Sequence, residues 1–445
     1  MYREIWGLVK TGWIILYELI LVSIFGDYND FVDRIAYKLS GQNILYVKIF
    51  QSLALNNQFI DDKTNNRLLR FTDNVPWSDK DIDFATLSAI SEEYDLVFKD
   101  TAPINSGMIS IVFKAHKKET DEPVIIKMKR NDIESTLDDA IKSLLFFVQI
   151  CSFVPFFRKI RFEEIVTKNI DCIRKQVNFA EEVDNMIKMT KICKNLKYIV
   201  VPNVFEKVTE KYNDVIMMQF IDGITIGKIA DEDYAGFAKQ VVKFAIATAL
   251  FSGIVHGDLH GGNILFIKDE SDKKYKYKIG VLDYGIIYTI DKQLQRGLLD
   301  VISGMFVVPP EVTAEKIMLS GMVEPVDAVR SMPKEHYDNI SIILAKIITD
   351  VLKETKKFTV MHMCRFFNDI GSYLSTNSIS ELGLAPSDSL IRLQMCLVML
   401  QGVAITLCKE KYMDIAEEAV DELFHTNLFK SDDDYFVVLT ETLEN

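Results

Sequence analysis

Proline and glycine are scarce in this chain, at ten and 20 of 445 residues. Turn-rich all-β architecture uses more of both, so the balance favours helices. An excess of basic charge is missing as well. Lys plus Arg is 51 against 64 for Asp plus Glu, a net charge of −13, which makes a poor general binder of nucleic acid. The six cysteines (Cys151, Cys172, Cys193, Cys364, Cys396, Cys408) contain no C-x-x-C pair. Their spacing has no zinc or redox logic, and they read as buried thiols in a reducing intracellular compartment. Repeats and low-complexity tracts are absent. No small-residue cleavage site follows the apolar start and no Ser/Arg-rich transit segment is present, so a targeting peptide is not expected. What is there is ordinary: 49% apolar and 26% charged residues, enough to bury a large core and to exclude disordered, collagen-like and disulfide-scaffold classes.

One stretch approaches the length of a membrane span. Residues 5–25, IWGLVKTGWIILYELILVSIF, would form a helix about 31 Å long. Lys10 and Glu18 interrupt it, and a charge near a bilayer centre costs several kcal/mol. Three readings stay open: a helix that crosses a membrane, one that docks peripherally on its surface, or one buried in the protein.

Along the chain, residues 1–78 read as a helical extension, closed by the break D-N-V-P-W-S-D at residues 73–79. Strand-like runs then cluster: DLVFKD, ISIVFKAH, PVIIKMK, YIVVPNVF and DVIMMQF. A helical stretch from about residue 134 to 196 divides them. Residues 79–224 therefore read as a smaller lobe of sheet plus long helices. Residues 225–445 read as a large helical lobe, with two strand-like runs (ILFIK and YKIGVLDYG) flanking a charged hairpin tip. From Asp291 onward everything reads as helix. The fold class is α+β.

The segments that carry chemistry sharpen this. H-G-D-L-H-G-G-N, residues 256–263, is followed by D-Y-G at residues 283–285. A kinase catalytic loop needs an Asp to accept or orient the acceptor hydroxyl and an Asn five residues later for metal. It needs another Asp beyond a short hairpin for Mg²⁺. Asp258, Asn263 and Asp283 have that spacing, and hard oxygen donors suit Mg²⁺ or Mn²⁺. A competing zinc reading of His256, Asp258 and His260 lacks a nearby Cys or further His. Upstream, A-P-I-N-S-G-M-I-S-I-V (residues 102–112) offers a nucleotide loop. Measured against G-x-G-x-x-G-x-V, its glycine positions hold Asn105, Gly107 and Ser110, with Ser106 between them and Val112 at the end. The run V-I-I-K places Lys127 in an apolar strand. A buried ammonium needs a partner, and Glu182 in the following helical stretch is the natural candidate.

With these residues in place the chain resembles the UbiB-like atypical kinases, also called the ADCK or activity-of-bc1-complex family. V-N-F-A-E-E-V-D-N (residues 177–185) is similar to that family's L-D-[FY]-x-x-E-A-x-N. The loop H-A-D-P-H-P-G-N is met by His256, Asp258, His260, Gly262 and Asn263. L-D-F-G is met by Leu282 to Gly285, and M-E-F-I-D-G-I by Met218 to Ile224. The signature K-x-G-Q resembles Lys48-Ile49-Phe50-Gln51. The ordered set covers most of the chain. It implies a two-lobed protein-kinase-like fold in which ATP or ADP binds with Mg²⁺ near Lys127, Glu182, Met218 and the Asn105–Val112 loop. It also implies a kinase or ATPase serving isoprenoid-quinone or other membrane-lipid metabolism, with no nucleic-acid partner. Departures are present: the family's E-x-D is here Gln176-x-Asn178, the Gly of K-x-G-Q is Phe50, and Gly107 stands where the family has Ala. The Lys48 helix, which in the family lies over the active site, is therefore expected to be held through Phe50 rather than by acidic partners.

Two other readings remain. Small-molecule phosphotransferases of the choline- or aminoglycoside-kinase type also use H-G-D-L-H-x-G-N, matching Gly257 and Leu259, but lack the K-x-x-Q and E-A-x-N helices. A catalytically idle nucleotide-binding scaffold is the third, against which stand the intact Asp258, Asn263 and Asp283.

Overall fold

The computed structural model describes residues 75–425 except 76, 152–166, 168–169, 171–172, 305–307, 354–359 and 409–411, together with scattered positions before residue 75. In chain order the elements begin with α1 (Phe84–Glu93), β1 (Leu96–Val97), β2 (Asn105–Ser106), β3 (Ser110–Lys117) and β4 (Pro123–Lys129). Then come α2 (Ile133–Cys151), α3 (Phe179–Cys193), β5 (Ile199–Val200), α4 (Glu206–Lys211) and β6 (Val215–Gln219). The helical part opens with α5 (Tyr234–Ile246), and β7 (Ile254–His256), β8 (Ile264–Lys268), β9 (Tyr277–Val281) and β10 (Ile287–Thr289) follow. Of the later helices the long ones are Lys334–Lys353 and Asp388–Cys408.

The chain divides into two compact units, one of residues 1–184 and 203–220, the other of residues 185–202 and 221–445. The first is built on an antiparallel sheet in the order β1-β3-β4-β6, with β2 on β3. Strand alternation decides its two faces. Ile111, Phe113 and Ala115 of β3 join Val124, Ile126 and Met128 of β4, and pack with Leu87 and Ile90 of α1 in one core. Asp83 starts α1 by accepting hydrogen bonds from the backbone N–H groups of Ala85 and Thr86. A second core forms along α2, where Ile133, Leu137, Ile141, Leu144 and Val148 repeat at helical spacing and meet Ile170, Ile173 and Val177.

The register then fixes what lies on the sheet's other face. Val112 pairs with Lys127 and Ser110 with Lys129. Lys127 pairs in turn with Ile216, and Ile125 with Met218. Cross-strand partners share a face, so Ser110, Val112, Lys127, Lys129 and Met218 all stand on the side away from the α1 core. Asn105, opposite Val112, joins them.

In the second unit β8 and β9 form the hairpin whose charged tip the sequence suggested, and β5 adds to β9 in parallel. β7 and β10 make a separate pair. Two-residue strands at Val323–Glu324 and Ala385–Pro386 pair within the region read as wholly helical. Two residues carry no period, so no pattern was there to read. The helix α5 and the long helix Asp388–Cys408 carry much of this unit's core: Phe237, Val241, Phe244, Leu393, Leu397 and Leu400 are all buried. Cys193 and Cys396 are buried thiols, each pushed up to about 12 by burial.

Candidate functional site

The first unit contributes a buried charge pair. The Lys127 ammonium lies 2.6 and 2.8 Å from the two carboxylate oxygens of Glu182, whose side chain is 1% exposed. The strand sets the lysine on the correct face, and α3 presents the glutamate one turn into the helix. Asn178 precedes that helix. Its side-chain Oδ1 accepts the Glu181 N–H at 3.3 Å, so it acts as the cap of the helix that carries Glu182. The Phe179 ring, itself buried, lies 5.5 Å from the ammonium groups of both Lys127 and Lys129.

The loop of residues 102–112 is pinned by Arg130. Its guanidinium donates to the Gly107 carbonyl at 3.0 Å, the Ser106 hydroxyl at 2.7 Å and the Val75 carbonyl at 3.3 Å. Ser106 is therefore committed on the sheet's core side, whereas Asn105, Ser110 and Val112 stand on the Lys127 side. A Cβ at Gly107 would meet only the Ser110 carbonyl oxygen at 3.5 Å, an ordinary contact. Glycine is not required there by packing.

The second unit holds the H-G-D-L-H-G-G-N loop by backbone hydrogen bonds. His256 ends β7 and is 5% exposed. Its Nδ1 accepts the Asp258 N–H at 3.2 Å, so Nε2 carries the proton and donates to the Asp283 carbonyl at 2.5 Å. One imidazole thus ties the Asp258 segment to the Asp283 segment. Burial holds its basicity below the ordinary histidine value despite the Asp283 carbonyl, and the ring is neutral at pH 7. Asn263 donates its side-chain N–H to the Asp258 carbonyl at 2.9 Å, and its own carbonyl accepts the Leu282 N–H at 3.0 Å. One Asp283 carboxylate oxygen accepts the Gly285 N–H at 2.9 Å. Asn185, from the second-unit end of α3, donates to the Tyr284 carbonyl at 2.9 Å. Gly257 is packed so closely that a Cβ would collide with the Ile286 and Tyr288 side chains.

Asp258, Asn263 and Asp283 are thus set on one hydrogen-bonded frame within the second unit, while Lys127 and Glu182 meet within the first. Among the described residues no three His, Cys, Asp or Glu side chains are grouped to hold a metal ion. Both His256 nitrogens are already committed to backbone groups, so the zinc reading has no geometry. The oxygen donors Asn263 and Asp283 are of the type Mg²⁺ takes when it keeps waters and binds phosphate oxygens. Lys48, Phe50 and Gln51 lie outside the described residues. Gln176 lies in the helical turns that lead to Asn178. Sequence reasoning passed over Arg130, Lys129, Phe179 and Asn185. Lys129 could have been found by strand alternation from Lys127, and Asn185 stood inside a quoted motif without a role.

Residues 70–308 match the ABC1 atypical kinase-like domain. Among curated relatives, "Probable protein kinase UbiB" of Tolumonas auensis is 22% identical over 343 residues, covering 75% of this chain and 62% of that protein. The protein of the same name from Shewanella halifaxensis is 27% identical over 333 residues, covering 71% and 59%. The chain therefore spans about three fifths of the length of the curated relatives it matches. A solved structure, the complex of Rv3197 with erythromycin from Mycobacterium tuberculosis, superposes with a TM-score of 0.46 at 14% identity, covering 84% of this chain and 90% of that one.

Proposed function

Because the chain belongs to the ABC1 atypical kinase-like family, we propose that it binds ATP or ADP with Mg²⁺ and transfers or hydrolyses the terminal phosphoryl group. The observation that carries this reading is the frame through which His256 and Asn263 tie Asp258 to Asp283. Lys127, ion-paired with Glu182, holds phosphate oxygens. Asn105, Ser110, Val112 and Met218 share its face of the sheet and border the nucleotide. Asp258 accepts the proton of the acceptor hydroxyl, whether a water or an alcohol of a lipid or quinone-pathway molecule. Asn263 and Asp283 would hold Mg²⁺, which supplies neutralisation of the phosphate charge. The choline-kinase type of reading falls away with the family assignment.

The test is thermal-shift titration with ATP, ADP and GTP, with and without Mg²⁺. At 100 times its dissociation constant a nucleotide should add about 2.7 kcal/mol of stability. Asp283→Asn should abolish the Mg²⁺-dependent part and leave the unliganded melting temperature nearly unchanged. A full Mg²⁺-dependent shift in that variant would overturn the metal assignment.

The membrane-surface part of the reading rests on the N-terminal helix. Among the described residues no helix is long and apolar enough to cross a membrane. Glu18 is wholly buried and bonded by Arg34 at 2.7 Å and Lys38 at 2.6 Å. Burial would raise its pKa, but these two hydrogen bonds outweigh that and hold the carboxyl below its usual range. Ile14 packs on the α2 core. Trp13, Tyr17, Ile20 and Ile24, spaced four, three and four residues apart, are instead exposed, Trp13 by 68%. Such spacing makes one stripe. Lys10 is exposed, and Arg34 and Lys38 are more than a third exposed. An apolar aromatic stripe edged by cations suits the interface of an anionic bilayer. Co-sedimentation with phosphatidylglycerol vesicles should fall several-fold in Trp13→Ser/Ile20→Ser, and phosphatidylcholine vesicles should bind less. Undiminished sedimentation of the variant would sink this part alone.

A further inference from the structure

The long helix Asp388–Cys408 brings a cation to the H-G-D-L-H-G-G-N loop. The Arg392 guanidinium carbon lies 4.9 Å from the centroid of the Tyr288 ring in β10. That ring in turn packs on Gly257, where a Cβ would stand 2.6 Å from one of its carbons. Asp258 is the next residue. A second observation turns the same helix face to the loop. Cys396 is one turn beyond Arg392, and residues four apart share a face. Cys396 lines a small cavity with His256 and Leu259, and burial together with the nearby Asp258 charge pushes its thiol up to about 12. By the ring contacts alone the guanidinium carbon is at most about 14 Å from the Asp258 Cα, so one small molecule can reach both. All of these residues belong to the second unit.

Arg392 is exposed, and among the described residues the Tyr288 ring is its only partner. Lys239, Lys243, Lys268 and Lys278 of the same unit all meet carboxylates. Stacking engages the flat face of a guanidinium and leaves its N–H edges to donate. Those edges match a phosphate or a carboxylate two bonds at a time. The ring also holds the side chain in one orientation, which lowers the entropy lost when an anion is bound. A chain of net charge −13 repels an anionic compound at a distance, so a local cation is needed to seat one.

We propose that Arg392 seats the anionic group of the phosphoryl acceptor, so that the acceptor is an alcohol that itself carries a phosphate or a carboxylate. The inference rests on the phosphoryl-transfer reading of Asp258. The acceptor oxygen bonds to the terminal phosphorus of ATP as the bond from that phosphorus to the bridging oxygen breaks. ADP leaves with the electron pair, and the hydroxyl proton passes to Asp258. Arg392 takes no part in these bond changes; it places the hydroxyl by holding the other end of the molecule. Water has no anion to seat and would leave Arg392 without a role.

The experiment reads the labelling of Arg392 by phenylglyoxal in the full chain, with Mg²⁺ and ADP present, resolved by mass spectrometry. Glycerol 3-phosphate is the soluble probe, phosphatidylglycerol in detergent micelles the lipid one, and glycerol the neutral control. An anionic probe should slow Arg392 labelling several-fold and glycerol should not, while the exposed Arg330 labels at one rate throughout. Protection by the soluble probe identifies a free phosphate compound, and protection by the micelles alone a lipid headgroup. Transfer from γ-labelled ATP to the protecting probe is then followed. Arg392→Met should raise the KM for that probe about ten- to hundredfold, with a smaller change in kcat. Arg392→Lys keeps the charge without the planar fork and should raise it less. Protection by glycerol equal to that by its phosphate, equal protection of Arg330, or no protection by either anionic probe overturns the proposal. So does protection without transfer, or a KM that Arg392→Met leaves unmoved. If the parent shows no thermal shift with ATP, the phosphoryl-transfer reading fails and takes the acceptor role with it, whereas a normal shift beside an unprotected Arg392 sinks this proposal alone.

Discussion

The two units fix their functional groups by opposite means. In the first, Lys127 and Glu182 are buried opposite charges, set in place by a strand face and a helix turn that are 55 residues apart in sequence. In the second, Asp258 and Asp283 are steered through their backbones, by the His256 ring, the Asn263 amide and the Asn185 amide. The difference teaches where each unit is vulnerable. A side-chain pair in a dry interior fails when either member is removed, because the other is left as an uncompensated charge. A backbone frame tolerates changes in the side chains it positions, and fails when the groups that grip the backbone are lost.

The largest expected effect would break this contrast if it failed. Lys127→Ala should destabilise the chain in urea denaturation by about 3–5 kcal/mol, the cost of stranding a buried carboxylate. Asp258→Asn, in the backbone-framed unit, should cost less than Lys127→Ala, because the groups that grip the backbone there stay in place. Equal losses in the two variants would mean that the units are not built differently.

Asn185→Ala comes next. It removes the donor to the Tyr284 carbonyl and should cost about 1–3 kcal/mol. Hydrogen exchange should rise at Tyr284 and Gly285 more than along β4. A change spread evenly over both units would show that Asn185 acts as general packing rather than as a grip on that backbone.

The pH dependence should run in opposite directions. Burial keeps His256 below its ordinary value, so the unfolded chain takes up a proton near pH 6.5 that the folded chain refuses. Its contribution is intact above that pH and is lost as pH falls below it, by at most about 1.4 kcal/mol per pH unit. His256→Gln should flatten the acid limb of the stability profile. For Lys129, burial would lower the pKa, but the hydrogen bonds to Asp214 and Glu134 outweigh it and the value is raised. That contribution is present below the ordinary lysine range and is lost as pH climbs above it. Lys129→Met should therefore alter only the alkaline limb.

The smallest effect concerns Asp83, which caps α1 and also accepts the Thr86 hydroxyl at 2.7 Å. Asp83→Ala should cost about 1 kcal/mol by thermal melting, without touching Lys127 or the nucleotide shift.

How much of this was legible in the sequence follows from the same contrast. The H-G-D-L-H-G-G-N loop is local: Asp258 and Asn263 are five residues apart, and a hairpin returns Asp283, so spacing alone pointed to all three. The strands β3, β4 and β6 were legible from alternation, and the kinase-like α+β fold from the ordered motifs. Lys127 could be matched to Glu182 because an apolar strand allows few partners for an ammonium. The guanidinium of Arg130, by contrast, reaches residues from 75 to 107, and Asn185 reaches residue 284. Contacts of that range depend on packing that no local period encodes. The tiny strands at Val323 and Ala385 were invisible for want of length. Lys48 and Phe50 lie outside the described residues.

Gly257 sets the order in which this loop can change. Ile286 and Tyr288 fill the space that an alanine methyl would need at this position. The substitution is therefore ordered. Ile286 or Tyr288 must shrink or swing away before position 257 can gain its methyl group, and the reverse sequence passes through a crowded intermediate. A chimaera that brings in an alanine at this position without a change in the strand behind it inherits the collision.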